Sequence, residues 1–231
     1  MHVINSFVGF MQEGGFFMYP ILLVLTVGLS ISLERFLYLT NTKKANLKTW
    51  SQMLPLIEQG RFNEALAAAS ASSAAVGKIL AYGLSRLSAT RRRSDIETAM
   101  EEGLMETIPR LEKRTHYLAT FANISTLLGL LGTVTGLIEA FAAVANADPA
   151  QKAELLSASI SVAMNCTAFG LGAAIPMMLI YSFLQSKTTE LVDSLEMVAV
   201  KFLNLLQEQA TAPAPAQPQP RAHSQVSGKI A

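Results

Sequence analysis

One cysteine, one tryptophan and three histidines are all that 231 residues contain of these types. A lone Cys166 excludes an internal disulfide and cannot make a metal site by itself, and its neighbours suit a small packing residue. His2, His116 and His223 are scattered along the chain. No phosphate-cradling glycine loop, catalytic-triad pattern or paired-histidine metal spacing occurs, so the sequence gives no reason to expect an enzyme, a metal or a cofactor. Charge is scarce as well: 15% of residues are charged, against about 25% in a soluble domain.

What replaces charge is apolar length. The chain is 51% hydrophobic, and three runs, 16–33, 117–144 and 157–184, are each long enough to cross a bilayer as a helix. The first is not expected to be a cleaved signal peptide: it lacks a basic leader and a small-residue cleavage site, and it ends in Glu34-Arg35. An all-α integral membrane protein with three transmembrane helices is therefore expected.

The uneven distribution of basic residues sets the expected topology. Residues 34–116 hold 13 of the 18 lysines and arginines, residues 1–15 hold none, and 146–156 holds only Lys152. The positive-inside rule then predicts 1–15 outside, a first span at 16–36 and a cytoplasmic helical domain at 37–116. It continues with a second span at 117–145, an outside loop at 146–156, a third span at 157–184, a cytoplasmic helical extension at 185–210 and a disordered Pro-rich tail at 211–231. The basic triplet 91–93 sits in a segment that also carries nine acids, which reads as solvated surface rather than a nucleic-acid site.

Local signals fill in the helices. Span one has only scattered hydroxyls and Pro20 in its first turns, which suits a peripheral, lipid-facing helix. Amphipathic pieces are expected at 50–59, 61–71 and 76–87, and Ser94-Asp95-Ile96-Glu97 reads as a capping box. From there a helix can run directly into span two with a kink at Pro109. After span three, Leu191, Leu195, Val198, Phe202 and Leu205 keep helical spacing, so long cytoplasmic helical extensions are expected. Glu34-Arg35 is expected to form an interfacial ion pair.

The second and third apolar runs carry small and hydroxylated residues in stripes. At 100° per residue, Thr126, Gly129, Thr133, Gly136 and Ala140 share one face of span two, with Gly132 and Thr135 outside it. Gly132 and Gly136 also form a close-packing pair. Span three has two opposite stripes: Ser159, Ala163, Thr167, Gly170 and Ala174 on one, Ser161, Asn165, Ala168 and Gly172 on the other. By helical rise, Thr133 and Thr167 both lie roughly 15–18 Å below the outer surface, near the bilayer midplane. Two hydroxyls at one level make an ion pathway if several copies assemble, since no single three-span chain encloses a channel. The competing reading is that both stripes only pack helices.

Glu139 is the one carboxylate within a span, and such groups are functional candidates. It stands near the outer end and about 120° from Thr133 around the helix, so an interfacial or subunit contact is as good a reading as an ion path. Asn165 and Ser161 are candidates of the same kind, with a helix-to-helix hydrogen bond the simpler role for Asn165. Pro176 is expected to kink span three and free a backbone carbonyl.

At these residues the chain resembles the MotA/TolQ/ExbB proton channel family, in its three-span ExbB/TolQ branch. The matching pieces are Glu34-Arg35, Pro109-Arg110-Leu111-Glu112, the block 127–141 (LLGLLGTVTGLIEAF) and the block 167–181 (TAFGLGAAIPMMLIY). The resemblance implies a homopentameric ring in a bacterial inner membrane, its pore lined by spans two and three. It implies two copies of a single-span ExbD/TolR-like partner inside, with a partner aspartate carrying the ion. H+ or Na+ flow would then drive movement that energises an envelope process. Thr133 and Thr167 match the family's pore threonines. One position departs: where relatives commonly carry a glutamate five residues before the span-three threonine, this chain has Val162.

Overall fold

Helix follows the apolar runs and continues past each of them. The computed structural model describes residues 9–11, 14–90, 92–145 and 147–211. Residues 1–8 and 12–13 of the N-terminal segment, the proline-rich stretch beyond Thr211, and His2, Arg91 and His223 lie outside the described residues. The elements are α1 (Met18–Glu58), α2 (Phe62–Ala71), α3 (Ala75–Ala89), α4 (Arg93–Glu112), α5 (Thr115–Ala145) and α6 (Lys152–Thr211). Three of the helical stretches are long and apolar enough to cross a membrane.

α1 starts with Pro20 as its third residue, where a missing N–H costs least. It then runs on through 50–59, so that stretch is the far end of a single 41-residue helix and not a separate piece. The stop comes at Gly60, whose φ of +72° is open to glycine. There the Gly60 N–H bonds Ile57 O at 3.0 Å and the Arg61 N–H bonds Leu56 O at 2.9 Å, the paired closure of a Schellman motif.

The expected capping box does not cap. α4 begins one residue before it, at Arg93, with Arg92 at the N-cap and no side-chain capping bond. Asp95 instead accepts a hydrogen bond from Thr90 Oγ1 at 3.1 Å, which ties the incoming turn to the helix. Nor does α4 run unbroken into α5. Pro109 is inside α4, and the interruption falls four to five residues later at Lys113–Arg114, where Arg114 takes a left-handed φ of 70°.

Glu34 and Arg35 each bind at that interruption and form no direct ion pair with each other. Adjacent residues on a helix point apart. Glu34 pairs with Arg114 at 3.2 Å, while Arg35, 3% exposed, donates from Nη2 to the Leu111 carbonyl. Arg35 also lies 4.8 Å from the centre of the Tyr38 ring, a cation–π distance.

The expected loop 146–156 is shorter than its bounds, because α6 already starts at Lys152. α6 then continues for 60 residues through Pro176 without a break, about 90 Å at helical rise. Pro176 lacks the N–H that the Gly172 carbonyl would otherwise receive, and Gly172 faces open space.

Two cores hold the helices together. In the half that carries the basic segment, Leu39, Met53 and Ile57 of α1 pack with Ile79, Leu80, Leu84, Met100 and Leu111, and with Leu184, Leu191, Leu195 and Phe202 of α6. In the other half, Met18 and Ile21 pack with Ala122, Cys166, Ala173 and Met177. Large branched side chains space the helices in the first core. In the second, Ala122, Cys166 and Ala173 let α5 and α6 close up while Met18, Ile21 and Met177 fill the space toward α1.

Candidate functional site

The buried residues of α5 are Thr115, Leu118, Ala122, Ser125, Gly129, Gly132 and Ala140. From Thr115 to Gly132 they recur every three or four positions, the spacing that keeps one seam against a neighbouring helix, and half-buried Gly136 bridges the gap to Ala140. α6 answers with Ala163, Cys166, Gly170, Ala173, Ala174 and Met177. Where the seams meet, backbones touch. A Cβ on Gly170 would lie 2.7 Å from the Ser125 carbonyl oxygen and 3.0 Å from Gly129 Cα. One on Gly129 would meet Gly170 Cα at 3.2 Å and Thr167 Cα at 3.3 Å, and one on Gly136 would meet Ala163 Cβ at 3.0 Å.

Gly132 belongs to this seam, although the stripe drawn at 100° leaves it out. A Cβ there would collide with the Cys166 sulfur and lie 3.3 Å from Phe17 Cβ, because the start of α1 and α6 press on the same point. Two neighbours widen the buried arc of α5, and Thr133 is left at its edge, half-buried.

That edge is where the two threonines meet. Thr133 Oγ1 donates to the Gly129 carbonyl within its own helix at 3.1 Å, and Thr167 Oγ1 donates to the same carbonyl across the seam at 2.8 Å. The hydroxyls also contact each other. Since Gly129 and Gly170 have no side chains, the helices approach closely enough for this cross-seam bond. The pair stays half-buried and open to one side of the chain. Thr126 and Thr135 bond only their own helix, to Ala122 at 3.1 Å and Leu131 at 2.9 Å.

The other residues singled out by sequence stand apart from this point. Ser161, Ala168 and Gly172 are exposed on the face of α6 turned away from α5, and Asn165 is half-buried there. No side-chain hydrogen bond from Asn165 to another helix is formed among the described residues, so the bond expected of it is not made within the chain. Glu139 is exposed on α5 and forms no ion pair among the described residues. Val162 lies near the start of α1, its Cγ1 3.4 Å from the position a Cβ would take on Gly15.

Two buried polar groups at the seam are not among the residues singled out by sequence. Ser125 is fully buried against Gly170, and its hydroxyl finds no partner among the described residues. It sits one turn before Gly129, so extending the small-residue stripe by one turn would have found it. Thr115 Oγ1, buried just after the α4–α5 interruption, is likewise unpartnered among the described residues. Only the position of that interruption reveals it. No cluster of metal-ligating side chains occurs among the described residues.

Comparison with known proteins gives the chain a family. Residues 71–197, more than half of the chain, match the model of the MotA/TolQ/ExbB proton channel family. A putative biopolymer transport protein ExbB homolog of Methanothermobacter thermautotrophicus is 30% identical over 192 residues, 81% of this chain and 66% of that protein. The Tol-Pal system protein TolQ of Haemophilus influenzae is 34% identical over 117 residues, 51% of each chain. The biopolymer transport protein ExbB of Aquifex aeolicus is 32% identical over 111 residues, 48% of this chain and 72% of that one. The match thus spans about two thirds of the first relative's length and half of the second's. With three membrane-length helices and this family match, the protein is a multi-pass membrane protein. The chain belongs to the MotA/TolQ/ExbB proton channel family, in its ExbB/TolQ-like branch.

Proposed function

We propose that this chain is the pore-forming subunit of an inner-membrane motor driven by the ion-motive force. Five copies form a ring lined by α5 and α6, and two copies of an ExbD/TolR-like single-span partner stand inside it. H+ or Na+ passing between ring and partner drives movement that energises envelope transport or maintenance. The N-terminus is periplasmic. The basic segment 34–116 and the extension 185–210 lie in the cytoplasm.

One observation carries this reading: Thr133 and Thr167 converge on the Gly129 carbonyl at mid-span, at the open edge of the α5–α6 seam. Hydroxyl and carbonyl oxygens there can hand on a proton or contribute ligands to a cation, but they offer no titrating acid. A carboxylate must then come from outside this chain, and a partner helix is its natural source. Glu139 does not supply it, being exposed and away from the pair.

A second reading, a passive oligomeric scaffold, is favoured by the same bonds. Each threonine hydroxyl already has the Gly129 carbonyl as acceptor, which packing alone would require. Native mass spectrometry of the chain, alone and co-expressed with an ExbD/TolR-like single-span protein, decides between them. The motor reading expects a pentamer that takes up two partner copies. A monomer or dimer that ignores the partner leaves the scaffold.

A further inference from the structure

We propose that the chain carries a binding site for the phosphate headgroup of an anionic phospholipid, where α1 leaves its membrane-spanning stretch. A half-open recess of about 340 Å3 lies between α1, the start of α3 and the end of α4, a volume at the small end of the range for ligand sites. Lys78 and Arg110 both line it, and no carboxylate does. Lys78 has no ion pair among the described residues, and Arg110 gives only Nη2 to Glu106, at 2.7 Å. Tyr38, Asn41 and Thr42 add polar groups from α1, and Ser73 adds another from the turn before α3.

The start of α3 is built against the usual rule for a helix N-terminus. Its N-cap is Ala74 with no side-chain capping bond, and its first turn holds no acid. A lysine follows three residues inside, at the positive end of the helix dipole. Asn46, 4% exposed, accepts the Val76 N–H through Oδ1 at 3.3 Å, and its Nδ2 has no partner among the described residues. Asn46 thus caps α3 from outside the recess, and the recess itself offers two cations, a helix start without an acid and the hydroxyl and amide groups of α1, a set of donors suited to a phosphate oxygen.

A lipid, not a soluble phosphate, is the source the placement favours. Tyr38 to Thr42 follow the end of span one by two to six residues, roughly 3–9 Å at helical rise, which is the depth of the headgroup layer. Above the recess, Leu29, Leu33 and Leu37 are exposed, at 46%, 62% and 52%. Their four-residue spacing continues to Asn41, a row that turns about 40° around α1 at each step and brings Leu37 to one turn above the recess. Acyl chains on that row would deliver their headgroup to Lys78 and Arg110. Basic pockets beside membrane spans recognise anionic headgroups in this way.

The inference rests on the first span meeting the membrane surface near residue 36, and it needs neither ion flow nor a partner. The test is native mass spectrometry of the full chain released from mixed phosphatidylglycerol and phosphatidylcholine bilayers of matched acyl chains. The wild type should retain phosphatidylglycerol preferentially. K78Q and R110Q should each weaken that preference by roughly five- to tenfold. K78R should keep it, and K48Q, altering a lysine outside the recess, should leave it unchanged. Equal retention of the two lipids, or a preference that survives the K78Q/R110Q double variant with helicity intact, would overturn the site. Complete displacement of phosphatidylglycerol by millimolar inorganic phosphate would overturn the lipid assignment. Because lipid retention is read without ion flow or partner, either result leaves the motor reading to its own test.

Discussion

Arg35, buried near the end of the first span, donates a hydrogen bond to the main-chain carbonyl of Leu111, 76 residues along the chain. Beside it, Glu34 holds Arg114, the residue in left-handed conformation at the break between α4 and α5. Two consecutive residues of α1 thus fix the point at which the basic helical segment turns into the second span.

Arg35→Met should therefore loosen that break. The substitution keeps length and removes a charge-assisted bond, at a cost of about 1.5–3 kcal/mol. Limited trypsin digestion should cut faster after Lys113 and Arg114 than in the wild type, while sites within α6 stay protected. Unchanged cleavage would mean that the break is held by packing alone.

Gly170→Ala and Gly172→Ala should behave oppositely although they are two residues apart. At Gly170 the new methyl meets the Ser125 carbonyl at 2.7 Å, a backbone atom that cannot turn aside, whereas at Gly172 nothing lies within 4 Å. The first should cost about 1–3 kcal/mol of stability, read as a lower Tm in detergent. The second should leave the isolated chain unchanged. If Gly172→Ala disrupts only the oligomer, another copy covers that face.

Thr167→Val separates a conducting path from a packing contact. It keeps the shape and removes the bond to Gly129, with a stability effect of about 0.5–1.5 kcal/mol. Ion-driven activity should be lost while the assembled mass stays the same. Retained activity would favour the scaffold.

Glu139→Gln should leave ion-driven activity unchanged, because the carboxylate stands exposed on α5 away from the threonine pair. A loss of activity with assembly intact would bring Glu139 into the ion path. It would then stand in for the carboxylate that Val162 lacks.

Acid should weaken the tie between α1 and α6. The hydrogen bond from Lys43, and then the charge of that ammonium, hold the Glu190 carboxyl below its ordinary value of 4.5. A depressed folded value means that this contribution is present above the unfolded value and is lost as pH falls through the folded one. Tyr82 runs the other way. Its hydroxyl donates to Glu106 at 2.9 Å, which raises it above 10.0, so that contribution is present below the unfolded value and is lost as pH rises through the folded one. Unfolding followed against pH should show the acidic loss in the wild type and less of it in Glu190→Gln. Both groups are exposed, so the changes should be small and reduced by salt.

The sequence by itself determined the three apolar helices, the imbalance of basic residues and the family. These follow from hydropathy, charge and a glycine–threonine block that are properties of the chain read in order. It also placed Thr133 and Thr167 at one depth, because helical rise converts residue counts directly into height. Only the tertiary structure decided which side of each helix is covered. Gly132 joined the seam because α1 and α6 both press on it, and one helix's periodicity cannot register a second neighbour. Where α4 breaks, and what Glu34 and Arg35 hold, depended on contacts about 80 residues apart. Local capping and proline rules pointed instead to Ser94 and Pro109. A capping residue or a proline states only what the backbone can do locally. The partners that arrive from elsewhere in the fold select what it does.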